Sequence, residues 1–312
     1  MIDFENFGLE GIQKYAGNVD TVTMGIKPSN GTIHVGNAVT IQLLLTALDI
    51  MPNTKGEIFI EDREFALQDE IRLPNPGTVQ ALISSVESAI AGSIDFLGDE
   101  DLARRVKITK MSDFLAKNGL GFADLVAQTH QDISWAFPQC RLGGMNSITP
   151  VCPSCESTRT HFKREPHQWD GSKFTSQCTN PACSVNGYTV DFSAGETNAV
   201  VYYCTCCMRE VLTTKQKDTS VLHIYGGDYG IPWGAERDRR KQGKGASKVT
   251  RIQQMISSMG AKDQVFPVVG PLINVDGQKL AKRKRHTAQV DHEALGRLLH
   301  SGQHVIDLTK PQ

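Results

Sequence analysis

The stretch TVTMGIKPSNGTIHVGNAVTIQLLLTALDI, residues 21–50, decides the fold. Residues 21–27 (TVTMGIK) read as a strand that stops at Pro28, and Ser29, Asn30 and Gly31 make a turn. A helix is predicted over 35–50, because Ile41, Leu44, Leu45 and Leu48 fall at i, i+3, i+4 and i+7, the pattern of one buried helix face. Pro52 and Gly56 break it. Working outward, residues 57–60 (EIFI) read as a second strand that ends in the polar cluster Glu61, Asp62, Arg63 and Glu64. A second amphipathic helix is expected over 78–97, with Val79, Leu82, Ile83, Val86, Ile90 and Leu97 toward the core, and a third strand over 106–108. Strand, helix, strand, helix in this order specifies a parallel, doubly wound α/β sheet. Ligands of such sheets sit beyond the carboxyl ends of the strands, where the turn at 28–36 and the Glu61 cluster both fall.

Composition changes near residue 147. From there to about 208 the chain is rich in Cys, Ser, Thr, Asn and Gly, which reads as a metal-stapled insertion. The α/β pattern resumes with a strand over 220–225 (SVLHIY), then Gly226 and Gly227, a basic stretch over 236–248, a helix over 248–259 and a strand over 265–269. The expected organisation is a catalytic α/β domain in two halves, 1–146 and 209–312, interrupted by a zinc-ribbon insertion at 147–208.

Formal net charge is -1, from 33 basic and 34 acidic side chains, so a nucleic-acid partner would have to be held by local patches. The first ten residues, MIDFENFGLE, lack the order of a signal peptide, and the apolar run LLLTAL at 43–48 is far short of a membrane span. A cytoplasmic protein without a membrane partner is therefore expected. In a reducing compartment the eight cysteines need an explanation other than disulfides.

Their spacing supplies one. Cys152 and Cys155 form C-x2-C, Cys178 and Cys183 form C-x4-C, and two short pairs about twenty residues apart suit a tetrahedral zinc site. Cys152, Cys155, Cys178 and Cys183 are the expected ligands. Cys204 and Cys207 remain open as a replacement for the second pair, or, with Cys206, His161 or His167, as a second site. Four thiolates leave no position for water, so the role is structural.

Two further segments carry chemistry. PSNGTIHVGN, 28–37, joins a strand to a helix, and a helix N-terminus behind small residues presents free N–H groups and partial positive charge to phosphate oxygens. NVDGQKLAKRKRH, 274–286, has a turn at Asp276-Gly277 and then a flexible run with Lys279, Lys282, Arg283, Lys284 and Arg285. Mobile lysines there would neutralise charge that builds on a departing pyrophosphate.

Together these segments resemble the signatures of class I aminoacyl-tRNA synthetases. Ile33-His34-Val35-Gly36 looks like the HIGH motif, in the HxGN form (His34, Asn37) of class I lysyl-tRNA synthetase, and its context GIKPSNGTIHVGN is similar to that family's. Lys279-Leu280-Ala281-Lys282-Arg283 resembles the KMSKS loop in the KLSKR form of glutamyl-tRNA synthetases. Phe59-Ile60-Glu61-Asp62 looks like the strand end that holds the substrate's α-amino group, and Tyr225-Gly226-Gly227-Asp228 is placed like the element that contacts the adenosine ribose. Two residues depart from the pattern. Ala281 stands where the loop usually has serine, and Gly25 stands where glutamyl enzymes keep an arginine, which agrees with a lysyl pattern. No anticodon-binding domain is expected after the KMSKS-like loop.

The resemblance implies a Rossmann-like synthetase fold and activation of an amino acid, lysine favoured, with ATP and Mg2+, beside structural Zn2+. His34, Asn37, Lys279 and Lys282 take the catalytic roles by this implication. Ser29, Gly36, Gly226, Gly227, Asp228 and Leu280 bind ATP, and Gly25, Lys27, Glu61 and Asp62 bind the amino acid. The acceptor is the end of a tRNA or, alternatively, a small-molecule or peptide amine. A third reading is a vestigial zinc-ribbon protein that binds nucleic acid.

Overall fold

The computed structural model describes residues 6–26, 31–60, 62, 76–117, 148–150, 152–154, 168–169, 173–176, 178, 182–185, 187–191, 199–201, 220–230, 247, 249–250, 253, 265–275, 278–279, 296–297, 299 and 305–307. Its first part runs α1 (Gly8–Tyr15), β1 (Thr21–Ile26), α2 (Val35–Ile50), β2 (Lys55–Ile60), α3 (Pro76–Leu97), α4 (Asp101–Arg105), β3 (Val106–Lys110) and α5 (Met111–Lys117). Five short strands come next: β4 (Ile148–Pro150), β5 (Gln168–Trp169), β6 (Lys173–Ser176), β7 (Tyr188–Asp191) and β8 (Ala199–Val201). The chain then returns through β9 (Val221–Tyr225), a 3-10 turn (Gly227–Tyr229), β10 (Val265–Val269), β11 (Leu272–Val275), β12 (Gln278–Lys279) and β13 (Val305–Asp307).

Five strands form the main sheet in the order β10-β9-β1-β2-β3, and every neighbouring pair is parallel. Successive strands step from β1 to β2 to β3 on one side, and then β9 and β10 fill the other. Strand order therefore reverses between β1 and β9, which is where open α/β sheets place their ligands.

The helix α2 occupies the centre of the core. It differs from the single buried face read from its periodicity, because all its residues from Ala38 to Leu48 are buried. Leu44 and Leu48 rest on β2 over Gly56, Leu43 reaches Gly270 beyond β10, and α1 and α3 pack on the helix as well. A helix enclosed on several sides has no polar face to keep. Its C-terminal end is held by Arg105, whose guanidinium donates to the carbonyls of Leu48 (2.8 Å), Met51 and Thr54 (2.8 Å). These are groups that a helix end and its adjoining turn leave without intrahelical partners. On the other face of the sheet α5 brings Phe114 edge-on to Phe59, with ring centroids 5.4 Å apart.

The β10 edge is closed by the N-terminal segment. Phe7 bridges Val269 in parallel, Val269 N–H donates to Asn6 O at 3.1 Å, and Tyr15 of α1 stacks on Phe266 at 4.7 Å. Between the two halves of the sheet, β4 and β8 pair antiparallel, while β5, β6 and β7 make a separate antiparallel sheet. Among the described residues no helix is long and apolar enough to cross a membrane.

Candidate active site

The ladder between β1 and β9 joins Thr21–Thr23 to Val221–His223 and no further, although β1 continues to Ile26 and β9 to Tyr225. It ends at a buried polar pair, in which Thr23 Oγ1 and His223 Nδ1 are 2.7 Å apart. Beyond this last rung, Tyr225 lies edge-on to His223 (4.3 Å), and Tyr229 leans on Tyr225 (5.2 Å). Past this rung β1 and β9 part from each other while each stays paired on its other side, β1 with β2 to Ile26 and β9 with β10 to Tyr225, so the switch point lies between the start of α2 and the turn after β9. No local pattern in the sequence flags the Thr23–His223 pair, because its members are two hundred residues apart.

On the β1 side, the approach to α2 is fixed by contacts with α3. Gly31 takes φ +73, and a Cβ there would stand 3.2 Å from Ala81 Cβ, so only glycine lets the loop lie against α3 in this backbone conformation. Ile33 N–H then donates to Ser85 Oγ of α3 at 3.2 Å. These two contacts aim the chain into His34, the N-cap of α2. His34 and Asn37 close a capping box: Asn37 Oδ1 accepts the His34 amide at 3.4 Å, and the His34 side chain accepts the Asn37 amide. The imidazole folds over Gly36, where an added Cβ would come within 2.9 Å of its Cε1. His34 thus sits at the positive end of α2.

The turn after β9 holds Gly226, Gly227 and Asp228, of which Gly227 is buried and the other two half-buried. Tyr229 N–H donates to Gly226 O at 2.9 Å, which closes the turn and places Asp228 within it. A Cβ on Gly227 would lie 2.3 Å from Pro271 O and 2.5 Å from Leu272 N, so this turn touches the root of β11 backbone to backbone. From that root β11 packs against both the turn and α2, and it leads into β12, which ends at Lys279. Lys279 is thus paired in a strand, where the sequence reading has it in a flexible segment. The short ladder to β11 supplies the order that composition alone does not reveal.

These placements bring three of the sequence-derived groups to one edge of the sheet: His34 with Gly36 and Asn37, Gly226 with Gly227 and Asp228, and the root of the hairpin whose second strand ends at Lys279. Gly25 lies near the end of β1, paired in register with Phe59. Asp62 is engaged elsewhere. Its carboxylate accepts the Ser112 amide at 2.9 Å through Oδ1 and the Ser112 hydroxyl through Oδ2, which ties the end of β2 to the first turn of α5. Lys27, Ser29, Glu61, Leu280, Lys282 and Cys155 lie outside the described residues.

Away from the sheet edge, the Sγ atoms of Cys152, Cys178 and Cys183 lie within 4.8 Å of one another, and those of Cys152 and Cys183 are 3.8 Å apart. A disulfide would need about 2.05 Å. Thiolates about 2.3 Å from a shared tetrahedral ion stand roughly 3.8 Å apart, so the donor set and its spacing fit a soft metal such as zinc.

No protein-family model and no curated protein sequence matches the chain. Among solved structures, it is similar to tyrosyl-tRNA synthetase from Archaeoglobus fulgidus complexed with L-tyrosine, with 12% identity and a TM-score of 0.39 over 85% of this chain and 58% of that one. A chain from Campylobacter jejuni assigned provisionally as an arginyl-tRNA synthetase gives 6% identity and a TM-score of 0.37 over 96% of this chain and 68% of the other. The chain therefore spans just over half the length of the first structure.

Proposed function

We propose that the protein activates an amino acid with ATP, as a class I synthetase-like ligase. The observation that carries this reading is the convergence, at the carboxyl ends of β1 and β9, of the capped start of α2, the Asp228 turn and the root of the Lys279 hairpin. A carboxylate oxygen of the amino acid attacks the α-phosphorus of Mg-ATP. The bond from that phosphorus to the bridging oxygen breaks, and pyrophosphate leaves. No side-chain nucleophile is required, so the work is positioning and charge stabilisation. His34 donates to a phosphate oxygen from the positive end of α2, with Asn37 holding the capped geometry. Asp228 accepts from the ribose hydroxyls, and Lys279 and Lys282 neutralise the leaving pyrophosphate. With Asp62 engaged by Ser112, the substrate ammonium falls to Glu61.

Lysine is the favoured substrate, through the HxGN context and the cysteine pattern, and a tRNA acceptor end is the favoured recipient. Zinc held by Cys152, Cys155, Cys178 and Cys183 staples the module between the two halves of the sheet and supplies no chemistry to the reaction.

ATP–pyrophosphate exchange over a panel of amino acids tests the reading. Label should enter ATP with one amino acid, lysine first, and His34→Ala should lower the rate about 10²–10³-fold while the fold persists. Absence of exchange with every amino acid, with and without tRNA, overturns it. Offering labelled amino acid to total tRNA and to small amines then separates the two classes of recipient.

A further inference from the structure

The strand that presents Lys279 is short of support. Among the described residues it meets β11 in two register pairs, Asn274 with Lys279 and Val275 with Gln278. A two-stranded hairpin of that length is at best marginally stable in water, and a third strand or a packed face is what makes such a unit hold. The root of β11 has that packing: Ile273 is buried in the main core, and Pro271 lies against Gly227. The outer end of β11, which pairs with β12, is flanked on its other side by β13. There Leu272, Ile273 and Asn274 pair in parallel with Val305, Ile306 and Asp307. Asn274 is thus the register partner of Lys279 on one side and of Asp307 on the other, and the three occupy one row of the sheet.

We propose that β13 is a positioning strand for the active site: by pairing with β11 it fixes the place and register from which β12 presents Lys279 to the triphosphate. The reasoning is geometric. Strands have a period of two, so a slip of one residue carries a side chain from one face of the sheet to the other. The three parallel pairs to β13 hold β11 itself in register, so the edge on which β12 forms its pairs, and with it the place of Lys279, does not shift. The role at a triphosphate rests on the proposed activation chemistry, but the hold on Lys279 does not.

The test uses the full chain with Ile306→Pro, which removes a backbone donor and places a ring in the middle of β13. Two quantities are read: the rate of tryptic cleavage after Lys279, located by mass spectrometry, and kcat and KM for pyrophosphate exchange. Cleavage after Lys279 should accelerate at least about tenfold as the hairpin opens locally, while the main thermal transition stays close to that of the parent. Exchange kcat should fall roughly 10–100-fold with KM for the amino acid unchanged, as expected when a charged group is misplaced by about an ångström. Ile306→Val should behave as the parent in every measurement. If Ile306→Pro does not fold, Asp307→Pro, which disturbs only the outermost pair, takes its place. Unchanged cleavage after Lys279 in a folded proline variant overturns the proposal. A parent protein without exchange activity would sink the activation chemistry alone, since the cleavage arm still decides whether β13 holds the hairpin.

Discussion

Gly227→Ala is the most direct probe of whether the turn after β9 and the β11–β12 hairpin act as one body. The added methyl would meet Pro271 O at 2.3 Å, Pro271 C at 2.4 Å and Leu272 N at 2.5 Å. All three are backbone atoms, so none can swing aside as the end of a flexible side chain would. Opening the tightest contact even to 3.0 Å requires a shift of about 0.7 Å at the root of β11. Gly227 does not need a positive φ, so an alanine there suffers no backbone penalty and the effect is that of the contact itself. Overpacking of this kind costs about 1–3 kcal/mol, which lowers the melting temperature by a few degrees for a chain of this size. A displacement approaching an ångström at a group that must meet a transition state costs up to about 10²-fold in rate. Exchange by the variant should therefore fall roughly 10–100-fold, more than a loss of a few degrees explains at 25 °C. Differential scanning calorimetry and pyrophosphate exchange on the same preparation check both numbers. Parent-like exchange together with a parent-like melting temperature would mean that the turn and the hairpin are not in contact, and the active-site geometry argued from that contact would fail.

Arg105→Met should lower the urea midpoint by the equivalent of about 1.5–3 kcal/mol, since the charged donor to the Leu48, Met51 and Thr54 carbonyls is lost while most of the stem remains. Arg105→Lys should recover only part of that, because an ammonium lacks the planar fork. Purified protein should retain zinc, measured by inductively coupled plasma mass spectrometry, and Cys152→Ser should lose it, with the module at 148–201 becoming sensitive to protease while the main sheet persists. Ser112→Ala should speed amide exchange in α5 and leave KM for the amino acid nearly unchanged. A large rise in that KM with α5 still protected would return Asp62 to substrate binding.

Much of the main sheet was readable in the chain because its signals are local. The helix read at 35–50 is α2 residue for residue, and the strands read at 220–225 and 265–269 match β9 and β10 to within one residue. Val79, Leu82, Val86 and Ile90 are buried as their spacing in α3 requires, whereas Ile83 and Leu97 are only partly covered. The lysine hairpin was not readable. Strands of two to four residues carry no usable period, and β13 reaches β11 from some thirty positions away. Position in the chain hinted at His34 and Asp228 on one side of the sheet, but that the segments carrying them follow neighbouring strands depends on β9 inserting beside β1, a pairing across two hundred residues. Asp62 shows the opposite failure. A carboxylate at a strand end suggests ligand binding, and its actual partner, Ser112, lies fifty residues on.

Because Ile148 and Val201 are register partners, the cysteine module enters and leaves through neighbouring positions about 5 Å apart. Its two ends therefore need no separation to be maintained, and whatever holds the three cysteines together does so from one narrow stalk.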